Sequence, residues 1–195
     1  MRDAGDHYEY VCIHTDDITY IGKHEDKFFD ELQGAGFDLK DVTKNPTVFL
    51  GGSVSRDADG TLAWGAKRYI DRSLQNVERM TGSLPHKANV PMHPDTHSEL
   101  DMSEFLDEKG CELVQSLIGM LQWTVTLGRF DIACAVMTLS KHRVFPRQGH
   151  LQHILQVFGY LRKYPDGDLR FRTGIPVHES QDLHKPLMAA DLNSS

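Results

Sequence analysis

Cysteine is scarce and unpatterned in this chain. Cys12, Cys111 and Cys134 stand far apart and form no Cys-x-x-Cys pair. An odd, scattered set argues against a disulfide framework and reads as buried reduced thiols in an intracellular protein. Long apolar runs are also missing: none approaches the roughly 18 residues that a membrane span needs. The opening segment, MRDAGDHYEY, is acidic and polar, unlike a secretory signal. The expectation is a cytoplasmic or nuclear protein, not a secreted one, with no membrane partner. A glycine-rich phosphate loop is absent, because Gly51-Gly52 is not followed by Lys-Ser/Thr. No Ser/His/Asp or Cys/His set stands out, and there is no internal repeat.

Basic residues are in deficit. Lys and Arg number 21 against 28 Asp and Glu, a net charge of -7. A stand-alone nucleic-acid binder is usually basic, so the global balance argues against one. The local balance differs. Between Asp95 and Glu112 there are seven acids and one base, Lys109. Between Lys141 and Lys163 there are five bases (Lys141, Arg143, Arg147, Arg162, Lys163), three histidines and no acid. Local sign matters more than net sign for a phosphate-bearing partner.

What is present suits an ordinary folded chain. The 195 residues are 39% hydrophobic, enough to build a core and too many for disorder. Tyr10–Thr15 and Ile18–Ile21 are rich in β-branched and aromatic residues and flank Asp16-Asp17, which predicts a tight β-hairpin with the two aspartates at its tip. His24–Gln33 reads as a short amphipathic helix, stopped by Gly34 and Gly36. Thr47–Val54 and Thr61–Trp64 predict a second hairpin, its turn marked by Asp59-Gly60. Ala66–Arg79 places Tyr69, Ile70, Leu74 and Val77 at helical spacing. Residues 81–107 hold three prolines and no apolar period, and are expected to be a linker. From Glu108 the chain turns helical: Leu113, Leu117, Leu121 and Val125 form one stripe. Gly128-Arg129-Phe130 breaks that helix and Asp131 can cap the next, in an ion pair with Arg129. Pro146 opens a third, with Leu151, Ile154, Leu155, Phe158 and Leu161 on one side. Extended residues follow near Leu169–Thr173.

The chemistry concentrates at Asp16-Asp17. A two-residue hairpin turn prefers Asn-Gly or Asp-Gly, and adjacent carboxylates repel. The pair makes sense if a cation sits on it, and carboxylate oxygens suit Mg²⁺. A solvated acidic turn remains the plain alternative. The histidines offer less. His93 and His97 are separated by Pro94 in an aperiodic stretch, which removes the helical geometry that would aim both rings at one metal. His150 is expected to pack or bond at a helix start.

The segment Tyr10–Tyr20, YVCIHTDDITY, resembles the catalytic strand-turn-strand of reverse transcriptases of the copia-type LTR retrotransposons. Further blocks resemble that family in order: Phe49-Leu50-Gly51, Ser116–Trp123, Gly128–Ala133, Leu139-Ser140, Pro146–Leu151 and Tyr160–Lys163. The resemblance covers roughly residues 8 to 170. It implies RNA- and DNA-templated DNA synthesis, with Asp16 and Asp17 as catalytic Mg²⁺-site carboxylates and a Leu50-Gly51-Gly52 hairpin beside the primer strand. Read from the residues, Lys141, Arg143, Arg147, Arg162 and Lys163 are expected to form a basic stripe that contacts template-primer phosphates, with a solvated helix face as the alternative. The implied fold is α+β. A partial polymerase palm over residues 1–80, two hairpins with helices, leads through a linker (81–107) to a helical thumb or connection segment (108–163) and an extended tail (164–195).

The chain also departs from the family. His14 stands where the family has an aromatic, and Arg129-Phe130-Asp131 replaces Arg-Pro-Asp. The third catalytic carboxylate, the fingers and a ribonuclease H acidic cluster are missing from these residues. Two carboxylates without the third should hold metal and deoxynucleotide poorly, so little or no polymerase activity is expected from the chain alone. The implied partners are a template-primer, deoxynucleotides, the missing upstream polymerase half and a downstream ribonuclease H region. The rival expectation is a non-catalytic nucleic-acid- or protein-binding relic of such an element.

Overall fold

The computed structural model describes residues 2–3 and 8–171. The chain divides into two compact units, with the boundary between Asn45 and Pro46 rather than near residue 80.

The first unit is a three-stranded antiparallel sheet and one helix: β1 (Arg2–Asp3), β2 (Tyr8–His14), β3 (Asp17–Ile21) and α1 (Glu25–Gly34). Apolar residues face each other across β2 and β3: Ile13 opposes Ile18 and Val11 opposes Tyr20. That pairing sets the register, because a slip of one residue would turn every side chain to the other face. Tyr20 stacks on Phe28 of α1 with ring centroids 4.7 Å apart, and Phe28 meets Phe29 edge-on at 5.3 Å. The Tyr20 hydroxyl donates to the buried Glu9 carboxylate at 2.7 Å. Tyr10, Ile13 and Ile21 stay exposed, and no residue of α1 is fully buried.

The second unit holds the main core. A four-stranded antiparallel sheet runs in chain order: β4 (Val48–Phe49), β5 (Gly52–Arg56), β6 (Leu62–Gly65) and β7 (Leu169–Phe171). Four helices complete it: α2 (Lys67–Thr81), α3 (Glu108–Thr126), α4 (Ala133–Ser140) and α5 (Gln148–Lys163). Their apolar stripes meet in one cluster. Ile70 and Val77 come from α2, Leu117 and Leu121 from α3, Leu139 from α4, and Ile154, Phe158 and Leu161 from α5. Each such side chain contributes about 1.5–3 kcal/mol by leaving water.

Local chemistry sets the ends. The Asp107 carboxylate caps α3 by accepting from Gly110 N–H at 2.8 Å. Gly82, with φ 81°, closes α2 in the left-handed conformation. The β5–β6 turn is the expected one, with Gly60 N–H bonded to Asp57 carbonyl and the Asp59 carboxylate accepting from Thr61 N–H.

Residues 81–107 differ from the expected linker. They carry little regular structure, yet they lie packed along α5. Ala88 N–H donates to the Gly159 carbonyl at 3.2 Å, Gln156 to the Val90 carbonyl at 3.2 Å, and Arg162 to the Pro85 carbonyl at 2.9 Å. Pro85 and Ser98 are buried. The hold runs through main-chain carbonyls, which leave no hydropathy period to read. Asp131 forms the expected ion pair with Arg129, but its side chain caps no helix.

Candidate functional site

The aspartate pair lies at an exposed bend, one residue off the expected tip. His14 pairs with Asp17, so the two-residue turn is Thr15-Asp16 and Asp17 is the first residue of β3. Thr15 turns the chain with φ 54°. Both carboxylates face solvent. As donors they fit a hard ion: Mg²⁺ commonly takes one or two protein carboxylates and fills its shell with water and phosphate oxygens. Among the described residues no group of three His, Cys, Asp or Glu side chains is placed to hold a metal ion, so the bend offers two carboxylates and no cage.

The Leu50-Gly51-Gly52 segment is a tight turn in its own right. Residue pattern alone reads Thr47–Val54 as one strand, whereas the family resemblance implies a hairpin at Leu50-Gly51-Gly52; the segment folds back on itself, with Val48 opposite Ser53 and Phe49 opposite Gly52. Leu50 and Gly51 take φ 48° and 83°, the left-handed values that a two-residue hairpin demands at both central positions. Gly51 suits that demand; Leu50 is strained by it. Two indoles brace the turn. A Cβ on Gly52 would fall 2.0 Å from Trp64 Nε1, and one on Gly51 would come within 3.8 Å of Trp123 Nε1. Only glycine at position 52 lets the strand lie on Trp64.

The five basic residues do not form one stripe. Lys141 and Arg143 are exposed at the α4–α5 corner. Arg147 is the N-cap residue of α5, while Arg162 and Lys163 end that helix, about 22 Å further along at 1.5 Å per residue. Three of the five are engaged. Arg147 donates to the Ser103 carbonyl and lies 3.8 Å over the Phe105 ring. Arg162 holds Pro85, and Lys163 bonds Asn89.

Two further constellations lie away from the bend. The first is the expected Arg129–Asp131 pair, built around an Arg129 side chain that is only 3% exposed. It grips Asp131 in a two-pronged bond, Nε to Oδ1 at 2.9 Å and Nη2 to Oδ2 at 2.8 Å, and donates to the Tyr164 carbonyl at 2.8 Å. Burial pushes the Asp131 carboxyl up, but the Arg129 bonds and charge outweigh it and hold it below the ordinary aspartate range. Burial, followed by the neighbouring Asp131, raises the Tyr160 hydroxyl. Phe130 between the pair points to solvent, which explains how a bulky residue is tolerated there. The spacing Arg-x-Asp was visible in the sequence; the burial was not.

The second is His142 stacked on His150, ring centroids 4.1 Å apart, both bonded to Ser98. His150 does bond at the start of α5: its Nδ1 accepts from Arg147 N–H at 3.0 Å. His97 is bonded to Glu99, outside any metal cluster.

The chain is similar to a Saccharomyces cerevisiae (strain S288c) protein named for transposon Ty5-1. The two are 25% identical over 180 residues, which make up 89% of this chain and 55% of the yeast protein. The chain therefore spans about half the length of the curated relative it matches. No family model matches it, and no solved structure does. The likeness to a protein named for a transposon supports a transposon-related origin.

Proposed function

We propose that these residues are part of a retrotransposon reverse transcriptase: the portion that carries the aspartate-pair bend, the primer-side hairpin and the helical segment behind it. The observation that carries this reading is the exposed β2–β3 bend, with two consecutive carboxylates held open to solvent by a register that apolar pairs set. The likeness to a transposon protein supports it.

On this reading Asp16 and Asp17 hold Mg²⁺, which when bound would neutralise a triphosphate and align it with a primer hydroxyl. The strained Leu50-Gly51 turn presents main chain at close range to a primer strand. The exposed charges of Lys141 and Arg143 attract phosphate. The exposed Tyr10, Ile13 and Ile21 of the hairpin fit a sheet that continues onto further chain in the whole enzyme.

The test pairs binding with extension. Fluorescence anisotropy with an RNA template and DNA primer is expected to show binding that is tightened by Mg²⁺ and weakened by Asp16→Asn with Asp17→Asn. Primer extension by the chain alone is expected to be absent, since a third carboxylate is missing from these residues. Binding that ignores both Mg²⁺ and the double substitution overturns the catalytic ancestry. It favours the second reading, a non-catalytic nucleic-acid-binding module, for which the exposed Lys141 and Arg143 corner speaks.

A further inference from the structure

We propose that the cleft between residues 81–93 and α5 binds a nucleotide, with the phosphate at its Lys87 end and the base on its apolar floor.

Main-chain pins hold the cleft in shape. Ala88 N–H donates to the Gly159 carbonyl at 3.2 Å, Gln156 Nε2 to the Val90 carbonyl at 3.2 Å, and Arg162 to the Pro85 carbonyl at 2.9 Å. The segment so fixed leaves a cleft of about 600 Å³ against the helix. Sites for small molecules commonly measure roughly 300–1,000 Å³. An inorganic phosphate would leave most of this space unfilled, whereas a phosphate that carries a sugar and a base matches it.

The floor is apolar. Leu84 and Leu155 line the cleft and pack on the main core, and Pro85 beside them is buried. A flat ring laid there covers apolar surface on one face. Its polar edge meets two glutamines that stand one helical turn apart on α5. Gln152 is exposed and offers both a donor and an acceptor. Gln156 gives its amide nitrogen to Val90, which leaves its oxygen to accept.

The walls carry no carboxylate. No acid occurs between Gly82 and Pro94, and none between Lys141 and Pro165, in a chain of net charge -7. The fold lays these two stretches side by side. Glu78 and Asp95, the acids that flank the first stretch, do not line the cleft. Lys87 is an exposed cation on its wall. Arg162 and Lys163 stand close by, held by neutral groups: the Pro85 carbonyl and the Asn89 side chain. Among the described residues no carboxylate pairs with any of the three. Their charge is therefore uncancelled, and it draws an anion to this end of the cleft. His86 and His93 add ring nitrogens to the same walls.

The cleft lies wholly within the second unit, so it does not depend on Asp16 and Asp17.

The test is titration of the full chain with adenosine monophosphate in Mg²⁺-free buffer, followed by calorimetry and by amide proton–nitrogen correlation spectra. Binding is expected to move the backbone amides of Lys87 and Asn89 and the side-chain amides of Gln152 and Gln156. Adenosine and inorganic phosphate each lack half of the contacts, and each is expected to bind at least about tenfold more weakly. Lys87→Glu replaces an exposed side chain that holds no partner in the fold, and is expected to weaken adenosine monophosphate at least about tenfold as well. A tetra-adenylate strand separates the two sources of this chemistry: tighter binding at the same amides marks a strand as the ligand, and weaker binding marks the free nucleotide. No movement of these amides, adenosine bound as tightly as its monophosphate, or an unchanged affinity in Lys87→Glu overturns the proposal.

Discussion

Gly159 in α5 and the carbonyl of His86 are in direct backbone contact: a Cβ at position 159 would fall 2.0 Å from that oxygen. The close approach lets Ala88 N–H reach the Gly159 carbonyl and seats residues 85–90 on the helix. Gly159→Ala gains about 1 kcal/mol of helix propensity, but it must push main chain off main chain. A net loss of about 1–3 kcal/mol is expected, the usual range for overpacking. Chemical denaturation of the variant checks it; an equally or more stable protein would contradict the packing described.

Leu50 occupies a left-handed position that asparagine or glycine fills at less strain. Leu50→Asn is expected to leave stability unchanged or to raise it by up to about 1 kcal/mol. If the hairpin touches a primer, the same variant binds template-primer several-fold more weakly. Thermal melting and anisotropy on one sample separate the two effects.

Arg129 is buried and bonded on both prongs, so Arg129→Ala removes its bonds to the partly exposed Asp131 carboxylate and to the Tyr164 carbonyl. A loss of about 1–3 kcal/mol is expected. Arg129→Lys should rescue little, because one ammonium cannot reproduce the forked bond. The pair also has a pH signature. Asp131 is held below the ordinary aspartate value, so its contribution is whole above about pH 4 and is lost as pH falls through the folded value. Asp131→Asn should flatten that acid limb in a series of thermal melts.

The two units should exchange amide hydrogen at different rates. Of the described side chains before Pro46, Glu9 alone is fully buried, whereas α3 and α5 each bury several residues. Amides of β2 and β3 are therefore expected to open at lower free energy than those of Leu117 or Ile154. Equal protection in both units would show a sturdier hairpin than its burial implies.

Much of the architecture could be read from residue order. Both hairpin regions and all five helices fall close to their expected places, because apolar spacing and turn chemistry agree there. The misreadings have physical causes. Thr47–Val54 looks like one strand because Leu50 is a poor turn residue, and the chain turns there against its local preference. The tip of the first hairpin shifts by one residue because Ile13 and Ile18 pair. The segment 81–107 looked unattached because it is held through carbonyls of Pro85, Val90, Ser98 and Ser103, whose side chains say nothing about their main chain. Asp131 reads both as a partner of Arg129 and as a cap; the pair forms, and the buried guanidinium takes the carboxylate that would have capped. The acidic pair itself was visible at once, since nothing in the hairpin's own packing needs it.

Site-directed crosslinking addresses the reverse-transcriptase reading most directly. A DNA primer with a photoactivatable 3′-terminal nucleotide is annealed to an RNA template, irradiated with the full chain in Mg²⁺, and the attached peptides are mapped. The account predicts attachment at the Asp16-Asp17 bend or the Leu50-Gly51 turn, diminished by Asp16→Asn with Asp17→Asn. Attachment confined to other segments, or undiminished by the double substitution, would contradict it.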